Sequence, residues 1–184
     1  TGLTNVKLGI WLFLASEVML FGALFSTYIL LRINAIDWPL GADVLSVPIG
    51  AFNTVVLISS SVTMVLCYAA LKLDDLAGFK KYMAMTIGLS LLFLCVKAFE
   101  YYEHLAFGEV PATSTFLATY YTMTGIHALH IIFGVAVNAY HFVSAKRLFV
   151  DESERFTNRI EVAGLYWHFV DLVWIFLFPL VYII

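Results

Sequence analysis

Five long apolar runs alternate with short polar breaks along the chain. They cover about Leu8 to Leu31, Val44 to Leu71, Tyr82 to Leu105, Thr115 to Ala145 and Ile160 to Ile184. Each reaches the roughly 20 residues that a helix needs to cross a bilayer. The breaks carry turn and charge chemistry: Asp37 and Pro39 between Asn34 and Gly41, then Asp74, Asp75 and Gly78, then Gly108 and Pro111. The longest break, Lys146 to Arg159, is charge-rich and includes Asp151, Glu152 and Glu154. The pattern predicts an all-α, polytopic membrane bundle of about five helices, with residues 1–184 forming one transmembrane domain. The first run is too long for a signal-peptide core and no small-residue cleavage pattern follows it, so it is expected to be a retained helix.

Composition agrees with this pattern. Of 184 residues, 62% are hydrophobic and 12% charged, against about a quarter charged in an ordinary soluble domain. Lipid is therefore the expected solvent for much of the surface. A formal net charge of −3 argues against a nucleic-acid partner. Cys67 and Cys95 lie apart inside apolar runs, which predicts free thiols.

The basic residues predict an orientation. Five crossings put the N-terminus and the second and fourth breaks on one side, with Lys7, Lys72, Lys80, Lys81, Lys146, Arg147, Arg155 and Arg159. The other side holds Arg32 and, at a helix end, Lys97. Positive residues stay inside, so the N-terminus is expected to be cytoplasmic and the C-terminus external.

Ionisable groups within a span are expensive and are candidate functional residues. Glu17 lies near the middle of the first span. At about 100° per residue its face carries Ile10, Phe13, Leu20 and Leu24. Such a setting favours the neutral acid. Two readings fit: a proton-exchanging or lipid-sensing acid, or a neutral acid hydrogen-bonded across a helix interface. In the fourth span Thr124, His127, His130, Gly134, Asn138 and His141 fall within an arc of roughly 120°. That face must point at protein. Interhelical hydrogen bonding and a haem or metal site both remain open on spacing alone. In the fifth span Glu161 and His168 share a face and Asp171 is offset from them, as a proton relay or a packed polar seam. Lys97, Glu100, Glu103 and His104 share one side of the third helix near its end, where a solvated or self-paired helix end accounts for them.

The ordered motifs carry a family resemblance. They are Ser16-Glu17-Val18 in the first span, Val47-Pro48 with Asn53-Thr54 in the second, and Phe99-Glu100-Tyr101-Tyr102-Glu103 at the end of the third. Thr124-Gly125-Ile126-His127-Ala128-Leu129-His130 follows, and then Glu161 and Tyr166-Trp167-His168-Phe169-Val170-Asp171-Leu172-Val173-Trp174. Together they resemble subunit III of the haem–copper respiratory oxidases.

The resemblance implies a cofactor-free accessory subunit packed against catalytic subunit I, with haem and copper held by subunits I and II. It implies that His127 and His130 bind no metal. It associates Glu17 and Glu161 with lipid binding and proton uptake, and it makes bound phospholipid an expectation, with Lys146, Arg147 and Arg159 at headgroup level. Glu100, Glu103, His127, His130 and His141 are then structural polar positions, and His168 and Asp171 belong with the proton- and lipid-associated group. Longer members have two further N-terminal spans that find no counterpart here. The five-span form points to a bacterial inner membrane. A quinol oxidase subunit III and an accessory protein of a nitric oxide reductase are the alternatives. A transporter would need inverted repeats or broken helices, and neither is seen.

Overall fold

The computed structural model describes residues 5–183, and among these there is no strand. Helix α1 spans Asn5–Asn34. A single-turn helix, α2 (Gly41–Val44), precedes α3 (Val47–Lys72), α4 (Leu76–Ala106) and α5 (Thr115–Phe178). A wide final turn, Pro179–Ile183, ends the fold.

The helix ends follow local chemistry. Pro48 opens α3, where its missing N–H costs nothing. Asp74 takes a φ of 56°, a left-handed geometry that Asp tolerates. Asp75 then caps α4, accepting from the Gly78 amide at 2.8 Å. Ser114 caps α5 in the same way, accepting from Leu117 N at 3.1 Å.

The structure differs from the sequence expectation at Lys146 to Arg159. Instead of a loop, helix continues on both sides of one residue, Glu152, whose φ of −148° and ψ of 55° bend α5 into limbs 115–151 and 153–178. The segment contains neither Gly nor Pro, and its charges pair along the helix: Arg147 with Asp151 at 3.7 Å, and Arg155 with Glu152 at 3.0 Å. At 64 residues α5 would be about 96 Å long if straight, about three times the hydrocarbon thickness. The limbs instead fold back antiparallel. Tyr166 donates to the His130 carbonyl at 2.9 Å, and the ring of His141 meets that of Phe156 at 6.2 Å. Four helices are long and apolar enough to cross a membrane. Since α5 contributes two crossing lengths, the bundle has five.

The body of the bundle is α3, α4 and both limbs of α5, with α3 against α4 the most extensive contact. Helix α1 packs on α5 and is the least buried of the long helices. The core is aromatic, with Phe79, Phe93, Tyr120, Trp167, Trp174 and Tyr182 fully buried. The outside is apolar as well: Leu12, Met19, Leu30, Val55 and Leu129 are all more than half exposed. A surface of this kind belongs in lipid.

Gly134 sets how closely the limbs approach. A Cβ there would lie 2.6 Å from Trp167 Cζ3 and 3.2 Å from Tyr166 Cε1. Small residues let membrane helices approach in this way. Since the Trp167 ring is fully buried and cannot swing aside, Gly134→Ala should destabilise the bundle by about 1–3 kcal/mol. Thermal unfolding in detergent measures this, and an unchanged midpoint would show that the limbs are not pinned at this level.

Candidate functional site

The described residues do not gather their ionisable side chains in one open cleft. The chemistry-bearing side chains instead form separate buried nodes, each joining helices. Among the described residues no group of three or more His, Cys, Asp or Glu could hold a metal ion.

The first node joins α1 to α5. His130 Nε2 lies 2.9 Å from Glu17 Oε2, and its Nδ1 lies 2.8 Å from the Ile126 carbonyl oxygen. The Phe21 ring stands edge-on to the imidazole at 5.3 Å. The Glu17 face is therefore not wholly apolar, because α5 brings a histidine to it. Ten residues earlier, Lys7 donates to Glu161 at 2.8 Å.

The second node lies on α4. Lys97 and Glu100 are 3% and 2% exposed and pair with each other, so of the two readings of this helix end self-pairing holds and solvation does not. Lys97 Nζ donates to Glu100 Oε2 at 3.0 Å, to Tyr120 Oη at 3.1 Å and to Tyr182 Oη at 2.6 Å. Both phenols donate in turn to Glu100 Oε1, at 3.0 and 2.6 Å. The rings of Tyr101, Tyr120, Trp174 and Tyr182 surround the ammonium at 5.0–5.5 Å. All three ammonium donors are thus used, and the aromatic faces add cation–π attraction. Tyr101 also bonds Thr124. Glu103 on the next turn is exposed, and His104 pairs with Glu109.

The third node ties α3 to the second limb of α5. Trp174 Nε1 donates to Thr54 Oγ1 at 3.0 Å, and Trp167 Nε1 to Ser60 Oγ at 3.1 Å. Ser61 Oγ and His168 Nδ1 are 2.6 Å apart. Asp171 is buried on the same helix face, between the two indoles. Thr63 and Thr86 extend the seam from α3 to α4 at 2.7 Å.

His127 departs from the expectation of interhelical hydrogen bonds. Its ring is fully buried and stacks on Trp174 at 5.2 Å, with Phe93 edge-on at 5.9 Å. Neither nitrogen has a hydrogen-bond partner among the described residues. The rings packed around position 127 leave no hydrogen-bond partner within reach of it, so this histidine contributes by stacking.

At the basic end, Arg147 and Arg159 face acidic side chains, Asp151 and Glu152, each at 3.7 Å. Lys146 is exposed. Above them an apolar cleft of about 390 Å³ opens between Ile10 and Phe13 of α1 and Val137, His141, Val162 and Tyr166 of α5.

A sequence profile described as cytochrome c oxidase subunit III matches residues 2–184. The chain belongs to the cytochrome c oxidase subunit III family. A subunit 3 from Alkalihalophilus pseudofirmus is 33% identical over 182 residues, covering 97% of this chain and 86% of that protein. One from Thermostichus vulcanus is 35% identical over 177 residues, covering 96% of this chain and 86% of the relative. A protein named heme-copper oxidase subunit I+III, from Aeropyrum pernix, is 33% identical over 188 residues, covering 98% of this chain and 23% of its own length.

For this subunit III chain, sequence reasoning missed Tyr120 and Tyr182 as partners of Glu100, and Lys7 as a partner of Glu161. The i, i+3 spacing of Lys97 and Glu100 was the available signal for the ion pair. The phenols come from 20 and 82 residues away and leave no local trace. Removing one charge of a buried pair costs about 3–5 kcal/mol, whereas replacing both by apolar side chains is often neutral. Lys97→Met should therefore lower the unfolding temperature of the subunit sharply, and adding Glu100→Met should recover only part of the loss, because it removes the uncompensated charge but leaves the Tyr120 and Tyr182 hydroxyls without their acceptor. Calorimetry of the solubilised oxidase reads both. Equal stability of the single variant and the parent would remove the pair from the account.

Proposed function

We propose that this subunit III is the accessory subunit that packs on catalytic subunit I of a proton-pumping cytochrome c oxidase in a bacterial inner membrane. The observation that carries the reading is the family match along 2–184, together with a relative named as a fusion of subunits I and III. A fused relative supports direct contact with subunit I. The relatives named as cytochrome c oxidase subunits support that oxidase type over a quinol oxidase. In this reading haem and copper belong to the partner subunits, and this chain does no electron transfer.

What the chain contributes is environment. Its apolar outer surface shields part of subunit I. The cleft beside α1 suits an acyl chain, with Lys146, Arg147 and Arg159 within the headgroup layer. Because Arg147 and Arg159 already face Asp151 and Glu152, a phosphate there competes with those carboxylates. Glu17, Glu161, His168 and Asp171 are the intramembrane groups that this reading associates with lipid and proton supply. Glu17 and Glu161 are engaged by His130 and Lys7, so any proton they exchange passes through those pairs.

Orientation follows the basic residues. The N-terminal Lys7, the α3–α4 turn with Lys72, Lys80 and Lys81, and the α5 bend with its arginines all fall at one end of five antiparallel crossings. That end is assigned to the cytoplasm. A C-terminal alkaline phosphatase fusion should be active and a C-terminal green fluorescent protein fusion dark. The reverse result would invert the assignment.

Losing the subunit should leave the oxygen chemistry intact at first. An oxidase purified without this chain should keep its haem spectrum and begin turnover, then inactivate faster than the intact complex during sustained oxygen consumption. Equal durability, or loss of the haem spectrum on removal, would refute the role.

A further inference from the structure

Hydrogen-bond geometry fixes how many protons the Glu17–His130 pair holds. The Ile126 carbonyl oxygen can only accept, so His130 Nδ1, 2.8 Å away, carries a hydrogen. The other ring nitrogen faces Glu17 Oε2 at 2.9 Å. Without a hydrogen between them, a nitrogen lone pair would oppose a carboxylate oxygen. Two arrangements supply that hydrogen: a neutral acid donating to a neutral imidazole, or an imidazolium donating to a carboxylate. Both have one proton in the contact and no net charge. Either departure, a lost proton or an extra one, would leave a net charge deep in the span, where it is expensive.

The surroundings of the pair reinforce neutrality. Phe21 packs against the imidazole edge and Phe169 against Phe21. Tyr166, the nearest phenol on the facing limb, already donates to the His130 carbonyl. His127, one turn away, is enclosed by Trp174 and Phe93.

The pair also sits where α1 most needs a tether. Helix α1 packs on α5 with little of itself buried. Lys7–Glu161 and Glu17–His130 bridge it to α5 at the two ends of the cleft, ten residues apart or about 15 Å along the helix. Ile10 and Phe13, between them, line the α1 side of that cleft together with Val6.

We propose that Glu17 and His130 share a single proton and, as an electrically neutral couple, clasp α1 to the α5 hairpin, so that breaking the couple releases α1 and opens the cleft that it walls. The distinguishing feature is the hydrogen in the contact, not the volume of the side chains. A residue at 17 that donates to Nε2 keeps the clasp, and one of similar size without a donor loses it.

Docking of α1 can be read from the cleft in the intact oxidase. Val162 lines the cleft on α5. Val162→Cys, in a background where the exposed Cys95 is replaced by Ser and the buried Cys67 is kept, reports access to a lipid-soluble maleimide. Glu17→Gln retains a donor and should label within about twofold of the parent. Glu17→Met should label about fivefold faster or more, the population change expected from losing one buried hydrogen bond. His130→Gln against His130→Phe makes the same comparison from the other partner, with Gln slow and Phe fast, and it decides the matter if Glu17→Met does not assemble. Equal labelling within the assembled pair, or a Gln variant as fast as its apolar counterpart, overturns the clasp.

Discussion

In hydrocarbon no water stands ready to complete a hydrogen bond, and the arrangement of these helices follows from that. Many polar side chains on one helix find partners on another, and those partners fix rotation and register together. Thr54 and Ser60 of α3 meet Trp174 and Trp167 of α5, so moving up one helix is moving down the other. Thr63 holds α4 through Thr86. The indoles fill the space between these contacts, so one set of residues provides both the packing bulk and the polar register. A slip of one turn would strand several polar groups at once, which makes the seam more selective than apolar packing alone.

The bundle is uneven in consequence. Helices α3, α4 and α5 form a dense body whose polar groups are mostly internal. Helix α1 lies outside it and is bridged by charged or ionisable pairs. The Lys97 node joins α4 to both limbs of α5 and to the turn that follows them. There Tyr182, from the turn Pro179–Ile183, reaches the same carboxylate as Tyr120. Gly41 allows that turn to dock: a Cβ on it would meet the Val181 carbonyl oxygen at 1.9 Å. The two ends of the described chain are thus held in different ways, one by a mid-span pair on an exposed helix and the other by a buried cage.

Much of this was legible in the sequence. Five apolar runs gave the crossings, because length and apolarity are local properties. The ordered motifs gave the family. The polar face of the fourth span pointed inward, and the structure brings His130 of that face to Glu17. Other features were illegible for physical reasons. The bend at Glu152 occupies a single residue within a segment whose charges read as a loop but pair as a helix. Lys97 looked like a helix-end charge because its cage is assembled from three other parts of the chain. His127 looked like a hydrogen-bonding group because residue type does not reveal that Phe21, Phe93 and Trp174 pack around it.

The bend in α5 also bears on how the chain is made. The limb carrying the ionisable groups Glu161, His168 and Asp171 leaves the ribosome after the helices that partner it. Its partners come earlier: Lys7 in the first span, Thr54, Ser60 and Ser61 in the third helix, and His130 and Gly134 in the limb directly before it. Because the turn at Glu152 is a single residue within continuous helix, the second limb emerges already tethered beside its complement. It can enter the membrane as half of a hairpin and meet its partners on arrival, so a span that is costly to insert alone never has to be inserted alone.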